Sequence, residues 1–121
     1  MTDSVVLLSL KPRFASAIID GTKTVEVRRE RAHISPGSVG LVYATSPVRA
    51  LIGAVGIGVV ETWRPSTVWR KWGSQTGLLH REFAAYLADA HLATAIELIG
   101  IAKFPRPVDL AELCEIGRAH V

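Results

Sequence analysis

The stretch ALIGAVGIGVVETW, residues 50–63, constrains the fold of this chain more than any other. Its apolar part, residues 50–60, is the longest such run in the sequence, yet it falls short of the roughly 18 residues that a membrane-spanning helix needs. It reads as one long strand. Gly53, Gly56 and Gly58 weaken it locally and predict a bend, a bulge or a close backbone approach. The same glycines lack the spacing and the following helix of a dinucleotide fingerprint, and no lysine completes a phosphate loop.

Around this strand the chain alternates short elements. SVVLLSL (4–10) reads as a buried strand, and KPRFASAIIDG as a helix with Pro12 in its first turn and Gly21 at its C-terminal cap. TKTVEVRR (22–29) and GLVYATS (40–46) follow as strands, separated by the turn ISPGSVG. After residue 63 come a short helix entered at Ser66 or Thr67 and stopped at Gly73, a helix LHREFAAYLADAHLA (79–93), a strand TAIELIGIAKF (94–104) and a last helix beginning after Pro107. Strands this close in sequence, without regular helical crossovers, favour a small mixed or antiparallel sheet curled into a barrel over a doubly wound sheet.

A chain of 121 residues suits one domain with one core, and 49% hydrophobic against 21% charged residues marks it as globular. The start, MTDSVVLLSL, has no basic region ahead of its apolar stretch and makes a poor signal peptide. A lone cysteine, Cys114, forms no internal disulfide and agrees with a cytoplasmic location. The formal charge of +3 permits a nucleic-acid partner without demanding one. Its distribution says more. Lys11, Arg13, Lys23, Arg28, Arg29 and Arg31 lie in one short segment, and Arg64, Arg70, Lys71 and Arg81 form a second group.

The final EIGRAHV looks like translated short-read sequencing adapter, with Glu115 from the junction codon. On that reading residues 1–114 are the domain, 115–121 are an artefactual tail, and the natural protein continues past Cys114.

The histidines His33, His80, His91 and His120 sit in no metal-ligand spacing with Cys114 or a close carboxylate, so no metal site is expected. Cys114 lacks a histidine partner nearby in sequence and reads as a small packed residue; Ser46 or Thr24 would need a base beside them in space to act as nucleophiles. Two features remain open. Glu26 and Arg28 share a strand face, with Val25 and Val27 on the other, and form either a solvated charged face or a site for something anionic. Trp63, Trp69 and Trp72 interleave with Arg64, Arg70 and Lys71. Such a pattern stacks bases and holds phosphates, or simply caps the core.

LLSLKPRFASAIIDGTKTVEVRRE followed by VYATSPVRALIGAVGIGVVE resembles the ASCH domain family, which has a PUA-like fold. The matching positions are Ser9, Lys11 and Pro12, then Gly21 and Lys23, then Glu26 and Arg28, then Tyr43 to Pro47, and the resemblance covers roughly residues 6–113. The chain is similar to small stand-alone members labelled predicted transcriptional regulators. The resemblance implies an α+β, PUA-like mixed β-barrel with flanking helices. The Pro-Pro-Gln-Ser segment and closing strand of relatives are absent here, so the last strand is expected to be missing. It also implies a basic cleft that binds RNA or a nucleotide-like ligand without a cofactor, lined by Lys11, Lys23, Glu26, Arg28, Arg29, Thr45 and Ser46. Glu26 would orient the cations or accept a base N–H.

Some members resemble enzymes. One branch hydrolyses the acetyl amide of acetylated cytidine with a lysine, a threonine nucleophile and a glutamate. Lys23 matches its lysine, but Glu26 stands at the nucleophile position, which leaves Thr24 as a substitute. Another branch is ribonuclease-like, and metal-free RNA cleavage here would draw its acid and base from Glu26, Lys23 and Lys11.

Overall fold

The computed structural model describes residues 4–112. Pro12 opens helix α1 (Pro12–Asp20), and Gly21 closes it in the left-handed conformation at φ 86°. The backbone N–H groups of Thr22 and Lys23 both turn back to the Ala17 carbonyl at 3.0 Å. That cap delays the next strand, which was expected from residue 22 and runs as β2 from Val25 to Arg29. Strand β1 (Val5–Leu10) precedes α1; β3 (Val39–Ala44) and β4 (Ala50–Trp63) follow β2. Then come α2 (Pro65–Trp72), a 3-10 turn at Gly73–Gln75, α3 (His80–Tyr86) and β5 (Ala93–Val108).

The five strands form one mixed sheet in the order β1-β3-β4-β5-β2. β1 lies parallel to β3, and every other pair is antiparallel. The glycine-rich β4 bends as its sequence predicts, with register shifts against β5 at Leu51/Gly53, Ala54/Gly56 and Ile57/Val60. Gly53 is a close approach: a Cβ there would meet the Ala102 carbonyl at 2.8 Å. At the shift near Ile57, the Glu97 carboxylate accepts the Val59 N–H at 3.0 Å, where the ladder leaves it without a strand partner.

Strand β5 runs beyond its expected end at residue 104. Pro105 and Pro107 are tolerated because they fall in the irregular segment between the paired Lys103 and Val108. The helix expected over 79–93 stops at Tyr86; Asp89 takes a left-handed φ of 66° in the turn that follows. His80 and His91 therefore belong to different segments, and His80 packs on Trp69 with ring centroids 5.0 Å apart.

Two cores result. Leu8, Ile18, Val42, Val55, Ile57 and Ile96 pack between the sheet and α1. Val25, Val27, Ala93 and Ala95 of β2 and β5 pack against Val68, Phe83 and Leu87, with Trp69 and Trp72 closing the cluster. The α+β architecture with flanking helices is as expected. Closure into a barrel is not: among the described residues β1 and β2 are the outer strands and do not pair with each other. No helix among the described residues is long and apolar enough to cross a membrane. Cys114, His120 and the segment 115–121 lie outside the described residues.

Candidate functional site in the seam of the sheet

The curled sheet brings its two outer strands to one place. Ser9 and Leu10 of β1 and Glu26, Val27 and Arg28 of β2 line the same cleft, a cavity of about 320 Å³. The open seam of the sheet is the cleft. Lys11, which precedes α1, and Phe14 of α1 form one wall, and Leu78, Glu82 and Tyr86 the other. Arg13 of α1 spans the two walls with an ion pair to Glu82 (2.6 Å), and its guanidinium lies 4.4 Å from the Phe14 ring centroid. Glu82 also accepts the Leu79 N–H at 2.9 Å. That bond, with Arg13 second, holds its carboxyl below the usual carboxylate range.

The floor is ionic. Lys23 is 2% exposed and Glu26 is 5% exposed. The Lys23 ammonium donates to the Thr76 carbonyl at 2.6 Å and lies 3.4 Å from Glu26 Oε1; Arg28 Nε sits 3.6 Å from Glu26 Oε2. Glu26 is thus bracketed by two cations, one deep and one half-buried. Burial lowers the Lys23 pKa below 10.5, and the Glu26 charge opposes that shift. The alternation of β2, apolar on one face and charged on the other, holds, but both faces are buried from Val25 to Val27, which sets aside the solvated-face alternative for Glu26.

The turn after α2 makes this possible. The Thr24 N–H donates to the Gln75 carbonyl at 2.9 Å, one residue before the carbonyl that Lys23 uses. Thr76 is fully buried, and its hydroxyl donates to the Gly73 carbonyl and accepts the Leu78 N–H. Gly77 has φ 72°, and a Cβ on it would press within 3.3 Å of Lys23 Cβ. The sequence reading missed Phe14, Thr76, Leu78, Glu82 and Tyr86. Thr76-Gly77 is a turn signal in the sequence, but nothing local ties it to a lysine 53 residues away.

Of the residues expected at the site, Lys11, Lys23, Glu26 and Arg28 line the cleft. Lys11 is exposed on its wall. Arg29 is exposed and donates to the Tyr86 carbonyl at 3.4 Å, which sets it at the rim. Thr45 and Ser46 are not among the lining residues; they lie in the turn between β3 and β4, beside a cis Ser46–Pro47 bond. Thr24 does not line the cleft either. The lining holds Lys11, Lys23 and Arg28 against Glu26 and Glu82, a local excess of one positive charge.

The model of the ASCH domain matches residues 8–102. This chain belongs to the ASCH domain family. An ASCH domain-containing ribonuclease of Zymomonas mobilis is 33% identical over 110 residues, covering 91% of this chain and 74% of that protein. A crystal structure of an ASCH protein from Zymomonas mobilis superposes with a TM-score of 0.87 at 32% identity, over 98% of this chain and 81% of that chain. The large ribosomal subunit protein uL22 of Ureaplasma parvum is 27% identical over 92% of this chain but only 36% of its own length. The ASCH fold is PUA-like, and a relative that acts as a ribonuclease ties it to RNA-related function.

Proposed function

We propose that this ASCH domain binds RNA, taking one nucleotide of a single strand into the seam cleft. The observation that carries the reading is the convergence of Arg28, Lys11 and the buried Lys23–Glu26 pair on a cavity of about 320 Å³, the low end of ordinary ligand pockets. Lys11 and Arg28 supply positive charge for a phosphate. Tyr86, exposed on its wall, supplies a ring face for a base, while the Phe14 ring already carries the Arg13 and Lys23 cations. Glu26 accepts N–H groups from a base edge, and Lys23 fixes that carboxylate in place rather than meeting phosphate itself, because its ammonium is already engaged by Glu26 and Thr76. Binding without turnover would suit a regulatory role. In a salt titration with a short unstructured RNA, affinity should fall steeply as salt rises, and Arg28→Ala should flatten that slope by about one phosphate contact. Affinity independent of salt and of Arg28 would sink the reading.

A ribonuclease activity is the second reading, favoured by the ribonuclease of Zymomonas mobilis at 33% identity. In metal-free cleavage the ribose 2′-oxygen attacks the adjacent phosphorus and the 5′-oxygen leaves. One proton passes from the 2′-hydroxyl to a base and another to the departing oxygen. On this reading Glu26 would take the first and Lys23 or Lys11 would give the second, since all three line the cleft. End-labelled RNA incubated with wild type and with Lys23→Met checks this. Cyclic-phosphate product lost in the variant, with binding retained, supports it; no product from wild type rejects it. The nucleoside hydrolase reading has less support, since Thr24 lies outside the cleft lining.

A further inference from the structure

The seam cleft leaves one constellation of the sequence without a role. Glu61 Oε1 accepts the indole N–H of Trp72 at 2.9 Å and that of Trp63 at 3.1 Å, and the Lys71 ammonium lies 2.9 Å away. Trp72 is half-buried in the second core, so the carboxylate is anchored from beneath. Through it the Trp63 ring is fixed in direction. The Lys71 ammonium also sits 4.8 Å from the Trp63 ring centroid and occupies one of its faces. Trp63 remains 43% exposed. An indole held at its N–H, backed by a cation and still 43% exposed, is a prepared stacking surface; a single exposed apolar side chain with no such restraint would call for no explanation.

The charge around it has a matching sign. Arg64 and Arg70 are exposed beside Trp63 and Lys71. Arg29 and Trp63 share Ala93 as their register partner, so the three side chains project from one sheet face. With strands spaced ~4.8 Å apart, their backbones lie about 10 Å from each other. Arg29 in turn reaches Tyr86 at the rim of the cleft. The two carboxylates at this end are engaged within the fold: Glu61 as described, and Glu30 by accepting the His91 N–H.

We propose that Trp63 is a base-stacking platform, flanked by Arg29, Arg64 and Lys71, for a further unpaired nucleotide of the RNA strand that occupies the seam cleft. It rests on the RNA reading of that cleft and turns the ligand from a nucleotide into a strand. Stacking of one base on an aromatic ring is sequence-tolerant, so the platform adds affinity without reading sequence.

The test measures binding of cytidine monophosphate and of a short unstructured RNA to wild type, Trp63→Ala, Trp63→Phe and Arg28→Ala, with folding checked by circular dichroism. The expected result is that Trp63→Ala weakens the RNA on the order of 5- to 150-fold and leaves the mononucleotide unchanged, while Trp63→Phe loses less. RNA affinity unchanged in Trp63→Ala, with Arg28→Ala still impaired, overturns the platform and leaves the cleft reading standing. RNA that needs Trp63 but not Arg28 overturns the cleft reading and with it the two-site proposal, leaving Trp63 as an isolated stacking site. RNA that does not bind wild type overturns both.

Discussion

Glu26 on β2 and Glu61 on β4 are two carboxylates of one sheet, each gathering several donors, and they differ in depth. Glu26 has a side chain 7% exposed and faces a lysine that is 2% exposed. Glu61 is 26% exposed and faces a lysine at 38%. The deep pair has lost its water, so its charges depend on one another and on the Thr76 carbonyl. The outer pair keeps solvent within reach, and its Coulomb energy is screened. The same chemistry therefore makes a structural dependency in the cleft and an orienting device at the platform.

The largest break in this comparison should come from Glu26→Ala, which strands the Lys23 ammonium in the interior. The cost expected is about 3–5 kcal/mol in urea denaturation. A cost under 1 kcal/mol would mean that water reaches the floor of the cleft. Lys23→Met should cost less, about 2–3 kcal/mol, because Arg28 still faces Glu26 and the loss is mainly the bond to Thr76.

The two lysine forms also separate with pH. The Lys23 pKa is lowered from 10.5, so at high pH the unfolded chain holds this proton more tightly than the folded one. Wild-type stability should then rise, relative to Lys23→Met, as pH climbs from the folded value toward 10.5, and should not vary with this group below that window. Denaturation series for both proteins across alkaline pH check the sign.

Gly77→Ala sharpens the comparison from the backbone side. A left-handed residue pressed against Lys23 should cost about 1–2 kcal/mol, and it should shift the amide of Lys23 more than that of Glu61. The smallest effect belongs to the outer pair. Glu61→Gln should cost at most ~1 kcal/mol near neutral pH. Bonds from Lys71 and then Trp72 lower the Glu61 pKa below 4.5, so its contribution is present above that value and fades as pH falls through the folded one. An acid titration of stability in wild type and Glu61→Gln measures the difference.

The sequence made parts of this legible and hid others. Pro12, Gly21 and the glycines of β4 act through local backbone geometry, so the ends of α1 and the bends of β4 could be read directly. The end of α3 could not, because Ala88 to Ala90 continue a helical pattern that the turn at Asp89 interrupts. Lys23, Glu26 and Arg28 were visible as a charged strand, but their burial was not. It depends on Thr76 and on α3, which arrive from elsewhere in the chain. The seam itself depends on sheet order: β1 and β2 are close in sequence and lie at opposite ends of the sheet, and only its curl returns them to one cleft. Thr45 and Ser46 were placed at the site by family pattern; they sit in the turn after β3, where the Thr45 N–H donates to the Leu10 carbonyl of β1 at 2.8 Å, just outside the cleft lining.

RNA binding is proposed for the seam between β1 and β2. Amide chemical-shift mapping by NMR, with cytidine monophosphate and then a short single-stranded RNA added, tests it most directly. The account predicts shifts concentrated at Lys11, Lys23 to Arg28 and Tyr86 with the nucleotide, extending to Trp63 and Arg64 with the RNA. Shifts absent from Lys23 to Arg28 under both ligands would contradict it and return the charged strand to a structural role.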